Sequence, residues 1–333
     1  MLLVHIAVRL AVLVGAWSGP VSADVQPSSD CIATNRRQAT NAQAKCFATD
    51  IQGKRRTFRL YMPATRREPL PLVLVLHGGG GSGGNMEWLT ERGFNRIADR
   101  DGVVIAYPDG IGKSWNDGRT DFSTNAASDR VDDVGFLSAL PRRITTLVPI
   151  DVTRVYATGM SNGGLMSHRL GCDAADVFAA VAPVAANLSV DLATRCRPAR
   201  PISIAIVNGT DDPIMPWAGG TVQVLWMARG RVISTPATLA RWLELDACAP
   251  VARRMRSDDV ADDGTVLEQQ SAACKDGTEV NLLAVHGGGH TWPGGHTYLG
   301  ERLVGRVSRE FDASDAIWRF FQRHRLPRTS TAH

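Results

Sequence analysis

The 333-residue sequence lacks most of the features that would tie it to nucleic acid or to a membrane. Its formal net charge is only +4, and no block of Lys and Arg occurs, so scattered Arg reads as solvated surface rather than a polyanion-binding face. Beyond residue 23 no stretch holds the roughly 18 uninterrupted apolar residues that a membrane helix needs. No C-x-x-C pair is present, which leaves zinc-ribbon and thioredoxin-like readings without support. No internal repeat, low-complexity segment or linker interrupts the chain. What is present is an ordinary apolar fraction of 44%, enough for a sizeable core and for one large domain.

Residues 1–23, "MLLVHIAVRLAVLVGAWSGPVSA", read as a secretory signal. An apolar stretch is followed by Pro20 and the small residues Val21-Ser22-Ala23, an A-x-A-like cleavage site. Arg9 inside the apolar stretch is its only basic residue. No cysteine follows the site directly, so a bacterial lipid anchor is not expected. All six cysteines lie beyond it: Cys31, Cys46, Cys172, Cys196, Cys248 and Cys274. An even number in an exported chain points to disulfides, and six cysteines allow fifteen pairings. Pairing neighbours closes the shortest loops and is the expectation.

Residues 24–56 are polar and small, and read as a leader tethered by Cys31–Cys46. From 57 to 327 short apolar runs alternate with helical spacing. Buried strands are expected at "PLVLVLH" (71–77), "VVIAYPDG", "RVYATGM", "PISIAIVNGTDDP" and "EVNLLAVHGGG". Helices are expected over 86–102, over 130–148 with a kink or break at Pro141, after Gly163, over "STPATLARWLEL", and over "DASDAIWRFFQRHRL", capped by Asp312. Residues 251–270 break the alternation as a hairpin or excursion. The pattern predicts a single α/β domain, a mostly parallel sheet with helices on both faces, and a short tail at 328–333.

Two segments match the nucleophile motif G-x-S-x-G: Gly80-Gly81-Ser82-Gly83-Gly84 and Gly159-Met160-Ser161-Asn162-Gly163. Context separates them. Ser161 follows an apolar strand and precedes a helix, the strand–turn–helix setting of a nucleophile elbow. Ser82 lies in a glycine run with nothing to fix its rotamer. The run "HGGGG" directly after a strand instead suits the loop that donates an oxyanion N–H, from Gly79, with Asn162 supplying the other. The run also matches the dinucleotide fingerprint as Gly78-x-Gly80-x-x-Gly83, with Asp109 after the next strand. A glycine run matches that pattern trivially, and no cofactor is expected.

A serine needs a base, and the base an orienting acid. Downstream of Ser161, Asp211 and Asp212 follow a buried strand, with Asp212 favoured; their alternative role is turn chemistry. Of the histidines, His77 and His168 read as structural and His324 as a core-edge residue. His286, His290 and His296 follow the last strand, and spacing favours His290. His286-x-x-x-His290 has helical zinc spacing, but three glycines intervene and no further ligand is adjacent, so no metal is expected. Trp115, Trp217 and Trp292 flank these motifs and are candidate cleft-lining residues, with core packing as the alternative.

Taken together, "VLHGGGGSGGN", "SWNDGR" with "VDDVGF", "GMSNGG", "NGTDDPIMPW", "GGGHTWPGG" and "SREFDASDAIWRFF" resemble the secreted polyhydroxybutyrate depolymerase and feruloyl esterase-like group of α/β-hydrolases. The resemblance covers nearly all of the chain from residue 57. It implies Ser161 as nucleophile, Asp212 as acid, since the acid of that group stands immediately before a proline, here Pro213, and His290 as base. It also fits a Cys172–Cys196 pair. Asn208 stands where relatives often have His, with no catalytic effect expected. The implied activity is a secreted serine ester hydrolase acting on 3-hydroxybutyrate polyester or oligomers, or on feruloyl or acetylxylan esters. Depolymerases of solid polyester commonly append a linker and surface-binding domain, and residues after 327 hold neither, which favours soluble substrates. A serine peptidase or a non-catalytic polymer-binding protein are the remaining readings.

Overall fold

In the computed structural model the described residues are 25–32, 43–64, 69–122, 131–251, 253–257 and 260–327. The expected signal and the tail at 328–333 lie outside them. In chain order the elements begin with β1 Gln26–Pro27, β2 Lys45–Ile51, β3 Lys54–Tyr61 and β4 Leu70–Leu76. Next come α1 Gly83–Leu89, α2 Gly93–Asp101, β5 Val104–Pro108, α3 Asp133–Ile144 and β6 Ile150–Met160. The middle of the chain holds α4 Asn162–Asp173, β7 Ala180–Val184, α5 Val190–Arg195 and β8 Ser203–Gly209. The rest is β9 Gly220–Val224, β10 Met227–Val232, α6 Thr235–Leu245, β11 Arg253–Ser257, β12 Val266–Ala273, β13 Glu279–His286, α7 Glu301–Val304 and α8 Ala313–Phe321.

Eleven strands form one sheet in the order β1-β2-β3-β5-β4-β6-β7-β8-β13-β12-β11. The six central strands, β5 to β13, run parallel, and both wings are antiparallel. The centre is what the apolar runs predict: all seven residues of β4 and of β8 are buried. Such runs suit strands covered on both faces. Along β4, Leu72, Leu74 and Leu76 face one core with Phe136, Leu137, Met166, Leu170 and Trp242. Val73 and Val75 face the other, with Phe94, Ile97, Ile317, Trp318 and Phe321. Burial of each such side chain contributes about 1.5–3 kcal/mol, an upper figure because the unfolded chain is not fully extended.

Of the two wings, the N-terminal strands were not legible in the strand pattern, whereas the C-terminal one is the hairpin expected at 251–270. The described part of 24–56 supplies β1, β2 and the start of β3, so residue 57 falls within a strand of the sheet. Residues 253–273 form the β11–β12 hairpin on the opposite edge. The expected helix over 86–102 is two helices, because Glu91 and Arg92 adopt positive φ. Helix α3 continues through Pro141 to Ile144 without a break. Disulfides join Cys31–Cys46, Cys172–Cys196 and Cys248–Cys274. Among the described residues no helix is long and apolar enough to cross a membrane.

Candidate active site

Four parallel strands, β4, β6, β8 and β13, deliver the motif residues at their carboxyl ends, where open α/β sheets place their sites. Ser161 follows β6 directly and holds φ 59° and ψ −119°, a conformation that costs a non-glycine residue on the order of 1–3 kcal/mol. Its N–H donates to Val184 O at 2.9 Å, and its hydroxyl does not cap α4. The turn is possible because Gly163 lets α4 start against β4: a Cβ there would lie 2.4 Å from Leu76 O. Ser82 is different in kind. It is fully buried and caps α1, accepting from Asn85 N–H at 3.2 Å while donating to Asn85 Oδ1 at 2.8 Å.

The glycine loop lies against the elbow. A Cβ on Gly78 would be 3.5 Å from Ser161 Cβ, and one on Gly79 would be 3.8 Å from Asn162 Cβ. Among the described residues neither the Gly79 nor the Asn162 backbone N–H has a hydrogen-bond acceptor. Asp109 is spent on the scaffold, accepting from Gly83 N–H, Ile32 N–H and Thr57 Oγ1.

Of the candidate acids and bases, one pair meets. His290 Nδ1 lies 2.7 Å from Asp212 Oδ2, with both side chains almost fully buried. Asp212 Oδ1 accepts from Ile214 N–H at 2.8 Å and Met215 N–H at 2.7 Å, which fixes the carboxylate in the turn after β8. Tyr298 donates to His290 O at 3.0 Å, and burial raises its phenol so that it stays a neutral donor. The other candidates are occupied elsewhere. Asp211 accepts from Thr210. His286 pairs with Glu268 at 2.9 Å, and His296 with Glu91 at 3.4 Å. His168 is buried, accepts from Trp242 Nε1 at 3.1 Å, and is pushed down to about 4 by burial. Burial likewise lowers His324, to about 4. Asn208 binds Asn187, Thr235 and Ala186 behind the elbow.

Ser161 lines two adjoining clefts. One, about 400 Å³, is shared with His290 and is lined by Met86, Trp88, Leu89, Tyr298 and Leu299. The other, about 360 Å³, is lined by Phe122, Leu165, Met215, Val222 and Arg229. The three tryptophans flagged in the sequence line neither. Trp115 is fully buried and hydrogen-bonds His77 O, and Trp292 is fully buried beside Phe94 and bonds Ser314. Trp217 packs on the core and accepts from Thr235 N–H. Their apolar area served the interior instead. The residues missed are Trp88 and the β9–β10 hairpin, a separate two-stranded sheet with an exposed tip at Leu225 and Trp226. The alternation in "GTVQVLWMARGRV" is the signal that marks it. Among the described residues no group of three His, Cys, Asp or Glu is arranged to hold a metal.

Fold and site define an α/β-hydrolase. Residues 56–193 match the family model described as "Esterase PHB depolymerase". The protein NocK of Nocardia uniformis subsp. tsuyamanensis, named as an esterase, is 33% identical over 311 residues, covering 89% of each chain. Feruloyl esterase B of Piromyces equi is 31% identical over 226 residues, 66% of this chain and 39% of that protein. The acetyl xylan esterase structure from Aspergillus awamori superimposes with a TM-score of 0.51 at 12% identity, over 80% of this chain and 94% of that one, a likeness of fold. The chain belongs to the polyhydroxybutyrate depolymerase-type esterase family, and it is a carboxylic ester hydrolase.

Proposed function

We propose that the chain is a secreted serine esterase that cleaves 3-hydroxybutyrate oligomers or polyester through Ser161, His290 and Asp212. The observation that carries this reading is the elbow serine next to the Gly79 and Asn162 N–H groups, which have no acceptor among the described residues, in a cleft that it shares with His290 of the buried His290–Asp212 pair. His290 Nε2 takes the hydroxyl proton as Ser161 Oγ attacks the ester carbonyl carbon. Asp212 holds the ring with Nδ1 protonated and stabilises the imidazolium. The Gly79 and Asn162 N–H groups stabilise the oxyanion. Collapse expels the alcohol, which receives the proton from His290, and leaves an acyl group on Ser161. Water then attacks that acyl-enzyme, with His290 again as base, and releases the acid.

The proton must reach the leaving oxygen from His290. The alcohol half therefore occupies the cleft that His290 lines, and the acyl half the cleft of Phe122 and Arg229. Met86, Trp88, Leu89 and Leu299 on the alcohol side suit an apolar alcohol such as the next hydroxyalkanoate unit. A second reading, release of ferulate or acetate from cell-wall sugars, draws support from the similarity to feruloyl esterase B. Residues 1–23 supply export, and three disulfides suit an oxidising compartment.

Hydrolysis of a chromogenic butyrate ester, then of 3-hydroxybutyrate oligomers, methyl ferulate and acetylated xylose, tests the reading. Hydroxybutyrate oligomers are expected to give the highest kcat/KM. Turnover of ferulates alone would favour the second reading, and full activity of Ser161→Ala would end both.

A further inference from the structure

The motif "SWNDGR" takes no part in the reaction as written, yet its loop touches both halves of the oxyanion hole. Trp115 bridges them. Its indole Nε1–H donates to His77 O at 2.9 Å, at the root of the glycine loop. Its backbone N–H donates to Asn162 Oδ1 at 2.7 Å, and its carbonyl accepts from Asn162 Nδ2 at 3.1 Å. Asn162 Nδ2 also donates to Asp117 Oδ2 at 2.6 Å. Asp117 in turn is gripped by Arg119, through Nη2 at 2.6 Å and Nε at 3.1 Å, and both side chains are buried. Arg119 Nη1 reaches the carbonyl of Arg229 on β10, so the network ends at the rim of the acyl cleft.

His77 completes the grip from the other side. Its Nε2 accepts from Gly110 N–H at 2.9 Å, so Nδ1 carries the proton and donates to Gly78 O at 2.8 Å. Burial lowers the basicity of this ring and keeps it neutral. In a planar trans peptide the Gly78 carbonyl and the Gly79 N–H point in opposite directions. Fixing the carbonyl therefore aims the N–H.

We infer that the loop from Trp115 to Arg119 is a clamp that sets the spacing and aim of the two oxyanion donors, with Trp115 and Asp117 as positioning residues. The inference rests on Gly79 and Asn162 being those donors. The donors follow two different strands, Gly79 in the loop after β4 and Asn162 at the start of α4 after β6, and a preorganised hole requires that their separation not drift. The side chain of Asn162 spends its carbonyl and its amide on the clamp, which leaves only its backbone N–H for the substrate. Arg119 has a second task. It neutralises Asp117, whose bare carboxylate so near the hole would oppose a developing negative charge.

The test compares Trp115→Phe, which keeps an aromatic ring but loses the N–H and part of the indole volume, and Asp117→Asn, which keeps the shape and loses the charge. Each is assayed for kcat and KM on a chromogenic butyrate ester and for the affinity of a trifluoromethyl ketone, which forms an oxyanion on the serine. Both variants should lose about 10–100-fold in kcat with KM changed less than about threefold. Inhibitor affinity should fall by the same factor as kcat/KM. Melting temperatures identify variants that fail to fold, and Arg119→Lys, which keeps a cation beside Asp117, should fall between the parent and Asp117→Asn. If both conservative variants fold and bind the ketone like the parent, the clamp is refuted while the triad stands. If Ser161→Ala keeps the parent rate, the underlying reading fails, and the clamp with it.

Discussion

His290 Nδ1 and Asp212 Oδ2 lie 2.7 Å apart although 78 residues separate them in the chain. Among the described residues the side chain of Asp211, the other member of the acidic pair, accepts only from its neighbour Thr210. Asp212→Asn should lower kcat by about 10⁴ with little change in KM, because an amide no longer holds the proton on Nδ1. Asp211→Asn should stay within about twofold of the parent. Steady-state kinetics on one soluble ester separates them, and equal losses would overturn the choice of acid.

The two G-x-S-x-G serines differ in the same testable way. Ser161→Ala should abolish turnover, by about 10⁴-fold or more, without loss of stability. The strain at residue 161 lies in the backbone, which alanine keeps, and the hydroxyl caps no helix, so the melting temperature is expected to hold. Ser82→Ala should retain activity and lose about 1 kcal/mol, the worth of a helix cap. Denaturant titration beside the ester assay checks both halves.

Trp88 stacks on His296 at a 4.6 Å centroid distance and lines the cleft that His290 shares. Trp88→Ala should raise KM several-fold for esters of bulky apolar alcohols and leave methyl esters of the same acid nearly unaffected. A matched alcohol series at constant acyl group reads this. An equal effect across a matched acyl series instead would reverse the assignment of the two clefts.

Away from the site, burial raises the Asp246 carboxyl to about 7, from an ordinary value of 3.8. One oxygen accepts from Ile202 N–H, and the other has no partner among the described residues. The folded state therefore binds the proton more tightly than the unfolded state. The stability this confers is complete below about pH 4 and is lost as pH rises through about 7. Asp246→Asn, which cannot ionise, should gain on the parent by roughly 1–3 kcal/mol between pH 4 and pH 8. Urea midpoints at pH 4, 6 and 8 measure the difference, and a flat difference would contradict it.

The sequence by itself determined the central strands and the elbow. Runs such as 70–76 and 203–207 carry their own signal, because a strand covered on both faces is apolar along nearly all its length. The glycines around Ser161 likewise record a local steric demand, since a side chain at Gly163 would meet the backbone of β4. The expected order of serine, acid and base came instead from the chain order of the hydrolase class and from the resemblance, which also favoured Asp212 through Pro213. Only the tertiary structure decided which aspartate and which histidine meet. The parallel register of β8 and β13, with Gly209 opposite Val285, brings their following loops side by side, and no local pattern encodes that register. The tryptophans show the limit from the other direction. An indole offers the same apolar area to a cleft and to a core, so Trp115 was a cleft candidate and Trp88 was passed over until the packing placed Trp88 in the cleft and Trp115 in the interior.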